Sequence, residues 1–318
     1  MKRIRFLMSV LCVLLLLALS SCSGRDRETV ATKDEDLTLT DDLGRTVCVP
    51  YQPERTAVLI GSFADVWQLA GGTLTATADD AWTSFDLNLP EDTVNLGKTR
   101  ELSLERLFSC EPQLVIASNN TQIDLDWMET LEQAGIPTLY FDVSNFESYL
   151  NMLNLCTQIT GRTDLYEKNG LAIQGEIDEA LARSTKALEE RSEPPTVLYL
   201  RASAASIKAK GSQDNVLGEM LSALGCVNIA DGSIYLDDLS LEQIIADDPE
   251  FIFIVEQGQD TATIEENLDE LLRTNPAWSG LSAVREGRVY YMDSRLYNLK
   301  PNNRWGEAYD KLEKILYE

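Results

Sequence analysis

From Leu37 to Pro50 the chain reads LTLTDDLGRTVCVP, alternating apolar and polar positions on either side of Asp42-Leu43-Gly44. A period of two interrupted by a glycine turn predicts a small β-hairpin. Beyond it, short apolar runs alternate with amphipathic stretches. Thr56–Gly61 (TAVLIG), Gln113–Ala117 (QLVIA) and Pro137–Phe141 (PTLYF) read as buried strands, and Trp127–Ala134 reads as a helix stopped by Gly135. Residues 164–191 are rich in Ala, Leu, Glu and Lys, with Leu165, Ile173, Ile177, Leu181 and Leu188 near helical spacing. At 1.5 Å per residue they predict a rod roughly 40 Å long, ended by Pro194-Pro195. Strand-like runs then resume at Thr196–Arg201, Phe251–Val255 and Arg288–Met292. Strands alternating with helices predict an α/β protein with parallel sheets.

An internal echo refines this picture. Leu102–Ala117 is LSLERLFSCEPQLVIA, and Leu239–Ile254 is LSLEQIIADDPEFIFI. The offset that carries Leu102 to Leu239 also carries Pro112 to Pro249, so each copy reads as a short helix, a proline-marked turn and a buried strand. The repetition predicts two lobes of similar topology, 37–163 and 194–318, joined by a long helix over 164–193, with a ligand cleft between them.

The beginning of the chain belongs to neither lobe. Lys2, Arg3 and Arg5 precede a mostly apolar run from Phe6 to Leu19, which is 14 residues long and so shorter than the roughly 20 that cross a bilayer as a helix. This pattern predicts a signal peptide over 1–21. Leu19-Ser20-Ser21-Cys22 resembles a bacterial lipobox, which makes Cys22 the expected lipidation site. Residues 22–36 have almost nothing to bury and are expected to be a flexible tether. Cys48, Cys110, Cys156 and Cys226 are widely spread, without a CxxC, and are expected to be buried free thiols.

Charge and composition exclude several chemistries. The 318 residues carry 27 Lys and Arg against 52 Asp and Glu, a net charge of −25, and no histidine. So acidic a chain offers no track to nucleic-acid phosphates. Without imidazole there is no Ser-His-Asp or Cys-His catalysis and no HExxH zinc site. Gly97-Lys98-Thr99 is not a phosphate loop, because the glycine that motif needs five residues before Gly97 is Asp92. Asp124 and Asp126 form a DxD, but no calcium-loop pattern follows, so they read as solvated acids at a helix start.

Several segments together resemble one family. They are Thr40–Leu59, Asn95–Ser118, Leu131–Asp142, Asn215–Asp231 and Asn275–Asp293, in that order behind the lipobox. The chain is similar to the solute-binding lipoproteins of ABC importers, in the helical-spine class that serves iron-siderophores, haem and cobalamin. The resemblance implies an exported, monomeric, non-enzymatic protein without cofactor or resident metal, lipid-anchored to the outer face of the cell membrane. Such a protein captures a ferric-siderophore-type iron complex and delivers it to a permease and its ATPase. Haem or cobalamin is the alternative ligand, haem needing an axial Tyr297 or Tyr235 because histidine is absent. A chelatase-like enzyme or a ligand-sensing domain on a related two-lobed frame is the alternative of another class. The resemblance also implies that Glu105 and Glu242, the glutamates of the two LSLE copies, dock on arginines of the permease.

The segment Asp293–Trp305 (DSRLYNLKPNNRW) concentrates Arg295, Lys300 and Arg304 with Tyr297 and Trp305 in an otherwise acidic chain. In the family this loop borders the cleft, and cations beside aromatic faces suit a bulky anionic ligand. Trp82, Tyr235, Arg100 and Arg201 complete the candidate ligand contacts; the competing roles are packing for Trp82 and Tyr235, a cap on the core for Trp305, and a pair with Glu307 or another surface acid for Arg304.

Overall fold

The computed structural model describes residues 36–231, 241–258 and 260–318. Its first element is the hairpin of β1 (Leu37–Thr40) and β2 (Thr46–Val49), antiparallel with Leu37 opposite Val49. Asp41 builds the turn. Its carboxylate accepts from the Leu43 and Arg45 N–H groups at 3.1 and 3.0 Å and pairs with the Arg45 guanidinium at 2.7 Å. Arg45 also donates to the Thr138 carbonyl at 2.8 Å and lies over the Tyr140 ring, which clamps the hairpin to the first lobe.

Two five-stranded sheets follow. The first comprises β3 (Thr56–Val58), β4 (Ala76–Thr77), β5 (Val94–Asn95), β6 (Leu114–Ser118) and β7 (Thr138–Phe141), all parallel, in the order β5-β4-β3-β6-β7. The second comprises β8 (Thr196–Ser203), β9 (Ile207–Lys210), β10 (Val227–Asn228), β11 (Phe251–Gln257) and β12 (Val289–Met292), in the order β10-β8-β11-β12, with β9 antiparallel on β8. Setting β5 and β9 aside, the two sheets have one topology, in which the first strand is flanked by the second and third and the fourth lies outside. β3 is shorter than TAVLIG suggests, because Gly61 begins the helix Gly61–Leu69. The two-residue strands β4, β5 and β10 are too short for a periodic signal.

The internal echo is structural. The helix Leu104–Ser109 leads through Pro112 into β6, and the helix Leu241–Asp247 leads through Pro249 into β11. The residue before each proline, Glu111 or Asp248, has a positive φ, of 45° and 38°. A following proline disfavours the right-handed helical region and so ends the helix there. Asp248 is held in place by the Ser282 N–H and hydroxyl at 2.8 and 2.6 Å, which lower its carboxyl pKa.

The predicted rod is helical from Thr163 to Glu189 but carries one π turn, Glu167–Leu171, between the α-helical stretches Thr163–Tyr166 and Ala172–Glu189. Asn169 in that turn donates to the Leu69 carbonyl at 2.7 Å, while its own carbonyl accepts from Tyr149 Oη at 2.7 Å. The last helix, Trp305–Tyr317, packs along the rod. Arg183 binds Glu313 and Asp310 at 2.9 and 2.7 Å, and a Cβ on Gly306 would come within 2.0 Å of the Glu176 carboxylate.

Each sheet has a small core on its outer face, but the largest core belongs to both. It runs from Val58, Ile116 and Phe141 through Tyr149, Ile177 and Trp305 to Tyr199 and Phe253 without a break. The lobes are therefore fused by shared apolar packing as well as by the helix. The four cysteines are free, with Cys110 and Cys156 buried as expected, but Cys48 is exposed on the hairpin and Cys226 is half-buried.

Candidate functional site

In a parallel α/β sheet the loops after the strands gather at one edge, and ligands bind there. A cavity of about 420 Å³ lies at that edge of both sheets. The first sheet supplies Ile60 and Ser62 after β3, Asn120 after β6, and Asp142 and Ser144 after β7. The second supplies Arg201 near the end of β8 and Gln257 at the end of β11. Asn298, Leu299 and Lys300 close it from the segment that follows β12.

Three helices begin at the cavity: Gly61–Leu69, Phe146–Thr160 and Val216–Ala223. Sequence chemistry fixes these starts. Asn145 and Ser148 form a reciprocal capping box, and Asn215 accepts from the Gly218 N–H at 2.8 Å. Asp80 reaches from a neighbouring turn to accept from the Gly61 N–H at 2.9 Å. Burial pushes the Asp80 carboxyl pKa up, opposed by that hydrogen bond. Helix amino ends carry partial positive charge and favour anions.

Two cations join them. The Arg201 guanidinium contacts the Tyr199 hydroxyl at 3.3 Å and packs on that ring. Lys300 is half-buried, and burial lowers its ammonium pKa; the Asp142 carboxylate opposes this and Arg201 adds to it. Neither cation has a salt bridge among the described residues, although Arg45, Arg183, Arg191, Arg273, Arg288, Arg295 and Arg304 all do. Asp142 is bound instead by the Asn120 amide at 2.6 Å. Ser62, at the first turn of its helix, is 3% exposed and its hydroxyl has no hydrogen-bond partner. The arrangement presents two cations without salt bridges and three helix amino ends to one cavity, beside the Asp80, Asp142 and Asp214 carboxylates, which is chemistry for an oxygen-rich ligand that sets negative charge against Arg201 and Lys300. Among the described residues, no group of three or more Cys, Asp and Glu side chains is placed to hold a metal ion.

Of the candidate contacts read from the sequence, the cavity brings together Arg201 and Lys300. Arg295 stands behind it as a support. It pairs with Asp65 at 2.8 Å, donates to the Lys300 carbonyl and lies 4.1 Å from the Phe85 ring centre. Tyr297 departs from the expectation: it is 2% exposed and its hydroxyl donates to the Ala308 carbonyl at 3.0 Å, so it belongs to the core. Burial raises its pKa well above the usual phenol range. Arg304 is turned away from the cavity into a pair with Glu307 at 2.7 Å, and Trp305 is buried in the shared core. Trp82 is half-buried against that core, and Arg100 is exposed on a turn outside the cavity lining. Tyr235 and Cys22 lie outside the described residues, as do residues 1–35.

The DxD reading is also corrected. Asp126 is exposed, but Asp124 is fully buried, and its carboxylate accepts from the Ser118 N–H at 2.8 Å at the end of β6. Burial pushes its pKa up to about 7. Ser62, Phe85, Asn120 and Asp142 were missed in the sequence because each is a single polar or aromatic residue in a loop or, for Ser62, at a helix start. Only the rule that loops after parallel strands converge could have drawn attention to them.

Glu105 and Glu242 are exposed on the two repeat helices, and neither carboxylate has a partner among the described residues. No helix of the described residues is long and apolar enough to cross a membrane.

A profile of a family described as periplasmic binding protein matches residues 57–296. A Bacillus subtilis (strain 168) protein named Fe(3+)-citrate-binding protein YfmC is 27% identical, with 97% of each chain covered. A second protein of that strain, named putative ABC transporter substrate-binding lipoprotein YhfQ, is 24% identical over 99% of this chain and 98% of its own. The crystal structure of Staphylococcus aureus SirA complexed with staphyloferrin B has the same fold, with a TM-score of 0.65 at 20% identity over 88% of this chain and 97% of that one.

Proposed function

The chain belongs to the periplasmic binding protein family, and from that premise we propose that it is the substrate-binding component of an ABC importer for an anionic ferric chelate. It captures a complex of the ferric citrate or ferric siderophore kind and hands it to a membrane permease. The observation that carries this reading is the convergence of Arg201 and Lys300 on one cavity, with neither held in a salt bridge among the described residues. In a chain with a net charge of −25, cations left unpaired in a cleft favour an anion there over the acidic surface around it. The helix amino ends add partial positive charge for carboxylate, hydroxamate or catecholate oxygens. The names of the relatives, one for ferric citrate and one for an ABC transporter lipoprotein, support both halves of the reading.

Export and lipid anchoring at Cys22 belong to the same proposal, since a receptor that feeds a permease works at the membrane surface. Docking of Glu105 and Glu242 on permease cations completes it. The test is calorimetric titration of the mature protein with ferric citrate and with ferric hydroxamate and catecholate siderophores. One chelate should bind at about one per chain. An Arg201→Ala, Lys300→Ala double variant should lose that binding. Absence of binding to every ferric chelate, or a double variant binding like the parent, overturns the proposal.

A further inference from the structure

The cavity at the strand ends is not uniformly basic. Three carboxylates line it, those of Asp80, Asp142 and Asp214, against the two cations Arg201 and Lys300. The charges are also divided between the lobes: the first contributes Asp80 and Asp142 and no cation, and the second contributes both cations with Asp214. Asp80 is already occupied as the acceptor of the Gly61 N–H at 2.9 Å. Asp142 gives one oxygen to the Asn120 amide at 2.6 Å, and its other oxygen has no partner among the described residues. Asp214 is exposed just before the helix cap Asn215, and neither of its carboxylate oxygens has a partner among the described residues.

Opposite charges therefore line one space without meeting. Burial lowers the Lys300 ammonium pKa and the Asp142 carboxylate opposes this, yet no salt bridge joins the two among the described residues. A chelate that was anionic all round would press negative charge on Asp142 and Asp214 and strip them of water, and both effects oppose binding. A chelate with a positive group on one side meets both cations and both free carboxylates with the opposite charge. The carboxylates then reject competitors that lack the positive group, because these leave a desolvated acid unpaired.

We propose that the chelate this cavity takes is dipolar, a ferric complex whose anionic oxygens face Arg201 and Lys300 and which also carries a protonated amine facing Asp142 and Asp214. The inference rests on the transport reading above and adds a chemical class within it, the amine-bearing ferric chelates. Asp142 and Asp214 become the residues that set specificity, while the two cations supply attraction common to any chelate with anionic oxygens.

Calorimetric titration of the full chain with matched probes tests this. The probes are a ferric trishydroxamate ending in a primary amine, a ferric catecholate bearing a primary amine, the N-acetylated form of each, and ferric citrate, which has no amine. In at least one matched pair the amine form should bind at about one per chain, at least about tenfold more tightly than its acetylated form and than ferric citrate. An Asp142→Asn, Asp214→Asn double variant should reduce that preference to below about threefold, and its binding of the acetylated form reports that it is folded. Asp214→Asn alone, at an exposed side chain without a hydrogen bond to lose, should shift the preference in the same direction. Equal affinities within both pairs, tightest binding of ferric citrate or of an acetylated form, or a preference that survives in both variants overturns the inference and leaves the transport reading intact. So does a folded double variant that loses both members of a pair alike. No binding of any ferric probe overturns the inference and the transport reading together.

Discussion

Replacing Arg295 by Met tests how the cavity is held in place. The Arg295 and Asp65 side chains keep 19% and 13% of their exposure and meet at 2.8 Å. Asp65 has one further side-chain partner, the Asn302 amide at 2.8 Å, and Asn302 also donates to the Ser62 carbonyl at 2.9 Å. Burial raises the Asp65 pKa and lowers that of Arg295, so desolvation outweighs the pairing at both ends. Removing one partner of such a pair leaves a buried charge with too few donors and costs about 3–5 kcal/mol. In a domain of this size that corresponds to a fall in Tm of roughly 10 °C.

The pH dependence has a definite sign. The folded-state pKa of Asp65 already lies above its unfolded value of about 3.9, and loss of Arg295 raises it further. The folded state of the variant then binds the extra proton, so the deficit is small at low pH and grows as pH rises through the folded pKa. Urea unfolding of the parent, Arg295→Met, Asp65→Asn and the double variant at pH 5 and pH 8 measures this. The double variant should recover about 2–3 kcal/mol relative to Arg295→Met alone. Because Arg295 also donates to the Lys300 carbonyl, ferric chelate affinity should fall in Arg295→Met even where the protein is fully folded. A deficit below about 1 kcal/mol, the size of an exposed pair, or one independent of pH, would refute the buried-pair reasoning.

Asp124→Asn should remove a pH dependence of stability. Folded Asp124 titrates near 7 against about 3.9 unfolded, so the parent loses up to on the order of 4 kcal/mol as pH rises across that interval, and the variant does not; parallel pH profiles of parent and variant would contradict this. Arg201→Ala and Lys300→Ala should each weaken ferric chelate binding by roughly 1.5–3 kcal/mol in calorimetric titration. Tyr297→Phe should leave that affinity unchanged while lowering stability by about 1 kcal/mol, through loss of its hydrogen bond to Ala308; weakened affinity without loss of stability would return Tyr297 to the cleft. Cys22→Ala should move the protein from the membrane fraction to the soluble exported fraction, and unchanged fractionation would contradict lipid anchoring.

The candidate site was partly legible in the sequence. Arg201 and Lys300 could be singled out because each is a cation at a strand end or in a loop of an acidic chain. The same argument selected Tyr297, because a linear pattern cannot show that the turn Ser294–Tyr297 rotates the phenol into the core, while Arg304 takes its competing role, the pair with Glu307 three residues on. Asp124 shows the converse error. An acid at a helix start reads as solvated, yet this helix starts beneath the end of β6, and the Ser118 N–H takes up its carboxylate.

By itself, the sequence determined what depends on local periodicity and on neighbours along the chain. It determined the hairpin, the long strands, the helical rod, which ends at Glu189 ahead of Pro194, and the two proline-marked repeats, because strand and helix periods and the restriction before proline act over a few residues. Tertiary structure alone decided which isolated residues share a cavity, and which cations are held in salt bridges and which are not. It also decided that the two lobes share one core across Tyr149, Ile177 and Trp305. Those outcomes depend on desolvation and on contacts between residues far apart in sequence, whose energies are set only when both sheets are in place.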